Sequence, residues 1–133
     1  MSLQVGLVAE ITRAVAETDT AATYGSGLVP VLSTPHLIAL MEATAQAVIA
    51  PHLEEGQTAV GTRVDMEHLA ATPVGMEVRV RAELVEIDRR RLTFRIEAWD
   101  EVDRIGEATH DRFVIDTERF MRGVAEKTRT ASM

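Results

Sequence analysis

Glu42 sits in the most apolar stretch of the chain. From position 37 to 50, eleven of fourteen residues are apolar, the exceptions being Glu42, Thr44 and Gln46. An ionised carboxylate among apolar side chains is costly unless something pairs with it. Glu42 is therefore either a rim carboxylate that reaches solvent or an arginine, or a carboxylate held in an apolar pocket as nucleophile or base. His68 and Thr34 are the other groups whose types suit such a site. An imidazole changes charge near neutral pH and can pass a proton, although an inward histidine taken alone is more often a satisfied core residue. Thr34, followed by Pro35, reads first as a helix N-cap. The same position lies at the positive end of a helix dipole, where an oxyanion or carboxylate is favoured.

Much other chemistry is excluded. The chain has no cysteine, which removes thiol catalysis and disulfides, and its four histidines lack metal-ligand spacing, so no metal is expected. HExxH, GxGxxG, Walker and GxSxG patterns are absent, which argues against hydride transfer, phosphoryl transfer and the usual serine hydrolase chemistry. A net charge of −7 and few aromatic residues argue against nucleic acid as a partner. Arg89, Arg90 and Arg91 form a run that reads as a solvated turn or, less readily, as a phosphate contact for a nucleotide-bearing substrate. His36 and His52 fall at helix ends. His110 and Arg112 share one face of the last strand, where they could support the site from behind.

The elements that must position these groups follow from periodicity. At 133 residues the chain is expected to be a single domain, burying roughly 68% of its unfolded surface. A first strand is placed around Val8 to Val15. The helix starts at Thr34 and Pro35, with Leu37, Ile38, Met41, Ala45, Val48, Ile49 and His52 on one face and Glu42 at its rim. Pro51 and the following "EEG" end it. Beyond the helix the period changes to two. Val60, Val64, Met66 and His68 share one strand face, opposite Arg63, Asp65 and Glu67. Met76, Val78, Val80, Ala82 and Leu84 point inward from the next strand, with a bulge expected near Leu84 and Val85. Leu92, Phe94, Ile96 and Ala98 line the one after it. "IGEATHDRFVID" is the last strand, and "TERFMRGVAEKT" is a short helix or an extension packing on the sheet. One apolar helix among five strands is buried best by a strongly curved antiparallel sheet wrapped around it, an α+β arrangement. With no secretory signal and no apolar run of bilayer-crossing length, a soluble cytoplasmic protein without membrane contact is expected.

The order of elements, together with "STPHLIALMEATAQAVIAPHLEEGQTAVGTRVDMEHLAATPVG" and "GEATHDRFVID", resembles the hot-dog-fold acyl-CoA thioesterases. The branch typified by fluoroacetyl-CoA thioesterase is the most similar. The resemblance spans roughly Gly25 to Lys127. Its specific part is the threonine and glutamate separated by seven residues in the helix, "VGT" opening the next strand, and "H-x-AATP-x-G" ending it.

The resemblance implies a catalytic trio of Thr34, Glu42 and His68, with Gly61 supplying a backbone group to the thioester carbonyl and Arg112 matching a family arginine. It implies a homodimer that extends two sheets, a dimer of dimers as a further option, and acyl-CoA lying in a channel near the interface. CoA belongs to the substrate, and no cofactor is implied. The segment "YGSGLVPVLS" lacks the aromatic residues that line the acyl pocket of the fluoroacetyl-specific enzyme, and Leu28 stands near the place of one. A general or different short acyl group is the expected substrate.

On this reading Glu42 attacks the carbonyl or activates water, His68 is general acid or base, and Thr34 orients Glu42 or the carbonyl. The alternative is a non-catalytic hot-dog protein that binds acyl-CoA or an acyl carrier. A hydratase ranks lower, because Asp65 precedes His68 by only three residues and has the opposite parity. A purely structural dimer module would leave the trio as coincidence.

Overall fold

Strict alternation builds the centre of the sheet. In β3 (Glu77–Asp88) and β4 (Arg91–Trp99) the inward residues Val78, Val80, Ala82, Leu84, Leu92, Phe94, Ile96 and Ala98 are all buried. The hairpin between them turns at Arg89, which takes the left-handed conformation with φ 58°. The expected bulge is present: the β3–β4 register shifts between Leu84 and Glu86. The computed structural model describes residues 2–133. β1 (Val8–Ala14) adds to β3, β5 (Arg104–Asp116) adds to β4, and β2 (Gln57–His68) adds to β5. The result is an antiparallel sheet in the order β1-β3-β4-β5-β2, with β1 and β2 at its edges.

A single turn, α1 (Ala21–Tyr24), precedes the long helix α2 (Thr34–Ile49). Leu37, Met41, Thr44, Ala45, Val48 and Ile49 of α2 are buried, and the helix lies against β1, β2, β3 and β4. This is the curved sheet around a central helix that the sequence predicts. The enclosure is incomplete, however: Ala39, Ala43 and Ala47 are exposed along one side of α2. Five strands cover only part of the helix circumference, and small side chains occupy the uncovered part.

Two further details depart from the periodicity. Val60 does not share a face with Val64, because the β2–β5 register shifts between Gly61 and Arg63. The extra residue at the bulge inverts parity. Ala59 and Gly61 therefore face the helix before it, and Val64, Met66 and His68 after it. The C-terminal segment is a full helix, α3 (Thr117–Ala131), capped by Asp116, and none of its side chains is buried. It does not pack on the sheet. Among the described residues no helix is long and apolar enough to cross a membrane.

Candidate active site

The start of α2 differs from the expected capping scheme in a way that matters for chemistry. Ser33, not Thr34, is the N-cap: its Oγ accepts from the His36 N–H at 3.1 Å. Thr34 is the first helical residue, so its hydroxyl is released from capping. It shares a 2.8 Å hydrogen bond with Nδ1 of His68, the last residue of β2. His68 Nε2 is buried without a hydrogen bond of ordinary geometry. Burial pushes the imidazole below its usual range, with the Ala70 backbone working against it, so the neutral ring is favoured. Thr34 and His68 open onto a groove of about 560 Å³ lined also by Ala21, Leu32, Leu69 and Ala70. A second groove, lined by Asp65, Glu67, Arg95, Glu107 and Thr109, contains none of the site residues.

Glu42 belongs to a different cluster. Its Oε2 lies 3.4 Å from Nη1 of Arg112. The Arg112 guanidinium is buried, and its Nη2 donates to the Ala59 carbonyl at 2.9 Å. Nη1 also approaches Nε2 of His110 at 3.2 Å, and His110 Nδ1 lies 2.7 Å from the Arg63 carbonyl. Burial pulls Arg112 below its usual range while the Glu42 carboxylate pushes it back. The Glu42 side chain is 40% exposed. A paired carboxylate that keeps an open side can meet an incoming group; one sealed in the core cannot.

Gly61 faces this carboxylate. A Cβ at position 61 would lie 2.5 Å from Glu42 Oε2, 3.3 Å from His110 Cε1 and 3.4 Å from Arg112 Nη1. Real Cβ atoms do not sit at the first of these separations. Glycine at this inward, pre-bulge position is what lets the carboxylate rest against the strand.

The residues singled out from sequence thus form two groups. Thr34 meets His68, and Glu42 meets Gly61 and Arg112. The contact between His68 and Glu42 that would unite them is not made within one chain. Eight residues along a helix correspond to about 12 Å, and the seven from Gly61 to His68 along β2 to roughly 23 Å. The other expected positions are ordinary: His36 bonds the Tyr24 hydroxyl and approaches Asp19, His52 bonds Ser2, and Arg91 pairs with Glu86 and Asp88. Ser33 as cap and the bulge after Gly61 were not legible as such. "ST-P-H" permits either hydroxyl to cap, and "VGT" carries only a glycine as its bulge signal.

Among proteins of known sequence and structure, the model of the fluoroacetyl-CoA-specific thioesterase family matches residues 15–118. The chain is 44% identical over 98 residues to fluoroacetyl-CoA thioesterase of Streptantibioticus cattleyicolor, covering 74% of this chain and 70% of that protein. A solved structure of a fluoroacetyl-CoA thioesterase superposes with a TM-score of 0.90 at 35% identity, covering 96% of this chain and 98% of that one. A thioesterase-superfamily protein of Thermus thermophilus superposes with a TM-score of 0.88 at 29% identity, over 98% of this chain and 99% of that one.

Proposed function

Because the chain belongs to the fluoroacetyl-CoA-specific thioesterase family and is a hot-dog thioester hydrolase, we propose that it cleaves small acyl-CoA thioesters at sites shared between two copies. The observation that carries this reading is the separation of Thr34 and His68 from Glu42, Gly61 and Arg112. No one carbonyl can touch both groups of a single chain.

A second copy supplies the missing half. β2 is an edge strand of twelve residues, and long uncovered edges invite pairing. A two-fold axis at Asp65 pairs β2 antiparallel with its counterpart, and the extra residue of the bulge between Gly61 and Arg63 then sets Gly61 across from His68 of the partner subunit. The same operation offers a counterpart for the exposed stripe of Ala39, Ala43 and Ala47. Each homodimer then holds two sites, each with Thr34 and His68 from one copy and Glu42 and Gly61 from the other.

Arg112 holds one carboxylate oxygen of Glu42, leaving the other to attack the thioester carbon. A backbone N–H at or near Gly61 stabilises the oxyanion; such a donor typically contributes about 10²–10³ in rate. The C–S bond breaks and CoA leaves as thiolate, giving an acyl–Glu42 anhydride. Water then attacks the anhydride, passing a proton to the neutral His68 ring, which Thr34 orients. The acid departs, the Glu42 carboxylate is restored, and His68 returns its proton to solvent or thiolate. Burial of His68 favours this base role over that of an acid at neutral pH.

The acyl group we propose is short and need not be fluorinated. Leu28 and Val29, ahead of α2, are 97% and 55% exposed, and Tyr24, the aromatic residue of that segment, is turned toward His36. Thiol release from a panel of short-chain and aromatic acyl-CoAs tests the reading, comparing wild type with Glu42→Ala and His68→Ala. Losses of about a hundredfold or more in both folded variants are expected. Unchanged turnover in either would remove that residue from the mechanism.

A further inference from the structure

We propose that His110 is a positioning residue that aims Glu42 through Arg112; the proposal rests on the catalytic reading of Glu42 above. The hydrogen-bond chemistry allows one arrangement. The Arg63 carbonyl, 2.7 Å from His110 Nδ1, can only accept, so Nδ1 carries the proton. A neutral ring then has its lone pair on Nε2. Arg112 can only donate, so its Nη1–H donates to Nε2 at 3.2 Å. With the Ala59 carbonyl on Nη2 and Glu42 Oε2 on Nη1, the guanidinium is fixed from three directions.

The chain of contacts begins at the bulge. Arg63 is the residue at which β2 resumes its register after Gly61, so the backbone irregularity that opens space for Glu42 also presents the carbonyl that sets the His110 tautomer. His110 is 1% exposed, and its ring lies beside Phe94 of β4 at 6.1 Å between centroids. The charged groups that act on it are Arg112 on its own face of β5, Glu42 on α2 and, from the opposite face of β5, its chain neighbour Asp111, while β2 contributes the Arg63 carbonyl. Protonation would place an N–H on Nε2 against the Arg112 N–H, cation against cation. The relay therefore requires a neutral ring, and burial together with Arg112 favours that form.

Two measurements test this. Imidazole ¹⁵N shifts of the unaltered protein should show His110 with a protonated Nδ1 and an unprotonated Nε2; the reverse tautomer would overturn the proposal. In kinetics, His110→Leu should lower kcat by about 10- to 100-fold, the scale of a small misplacement of a reacting group, with KM nearly unchanged. His110→Gln, whose amide oxygen can accept from Arg112, should recover most of the loss. A His110→Leu kcat within about twofold of wild type, or a Gln variant no better than Leu, would refute the relay. If His110→Leu does not fold, the tautomer measurement decides. Failure of the catalytic reading shows separately, as full turnover by Glu42→Ala.

Discussion

Thr34 Oγ1 and His68 Nδ1 lie 2.8 Å apart, joining the first residue of α2 to the last residue of β2. The contact exists because Ser33 takes over the cap. A helix start and a strand end each have one residue to spare here, and the two meet at the mouth of a groove.

Capping and function should therefore separate at adjacent residues. Ser33→Ala is expected to lower stability by about 1 kcal/mol through loss of the N-cap, with kcat nearly intact. Thr34→Val should leave thermal stability almost unchanged and reduce kcat by about tenfold or more, since His68 loses the group that orients it. Denaturant melts and steady-state kinetics on the pair check both halves.

Gly61→Ala introduces a methyl 2.5 Å from Glu42 Oε2. The carboxylate can rotate away because its side chain is partly exposed, so the fold should survive. Turnover should fall by roughly 10- to 100-fold, in line with displacement of a reacting group by about an ångström. Wild-type kcat in the Gly61→Ala variant would show that the contact with Glu42 does not matter.

Stability should fall on acidification, beginning near the ordinary histidine value. His68 and His110 both titrate below that value when folded, chiefly because burial disfavours the charged ring. Well above pH 6.5 both rings are neutral in folded and unfolded chains and contribute no pH dependence. As pH drops through that value the unfolded chain takes up protons that the folded chain refuses, and stability is lost until the folded rings titrate. Melting temperatures from pH 8 to pH 5 should show this decline, and His110→Gln should reduce it.

The sheet and the helix were legible because their periods are clean. Val78 to Leu84 and Leu92 to Ala98 alternate without interruption, and the slip at Leu84 and Val85 broke parity visibly. Thr34, Glu42 and His68 could be singled out from residue type and spacing, and the pairing of His110 with Arg112 on one face followed from parity. What could not be read was which of them touch. A bulge adds one residue without a strong signature, so simple alternation puts Val60 on the wrong face. Two adjacent hydroxyls before a proline compete equally for a cap. The exposed side of α2 reads as buried from composition alone, because alanine suits an interior and an exposed helix face equally well.

The central claim is that each site is divided between two copies, and subunit exchange between two inactive variants tests it most directly. Glu42→Ala and His68→Ala homodimers are mixed in equal amounts, exchanged through mild denaturant, and assayed for thiol release. In a mixed dimer one site has lost both residues and the other is intact, so the exchanged pool should recover about a quarter of wild-type activity. If all the residues of a site came from one chain, the mixture would stay as inactive as its parents, and that result would contradict the account.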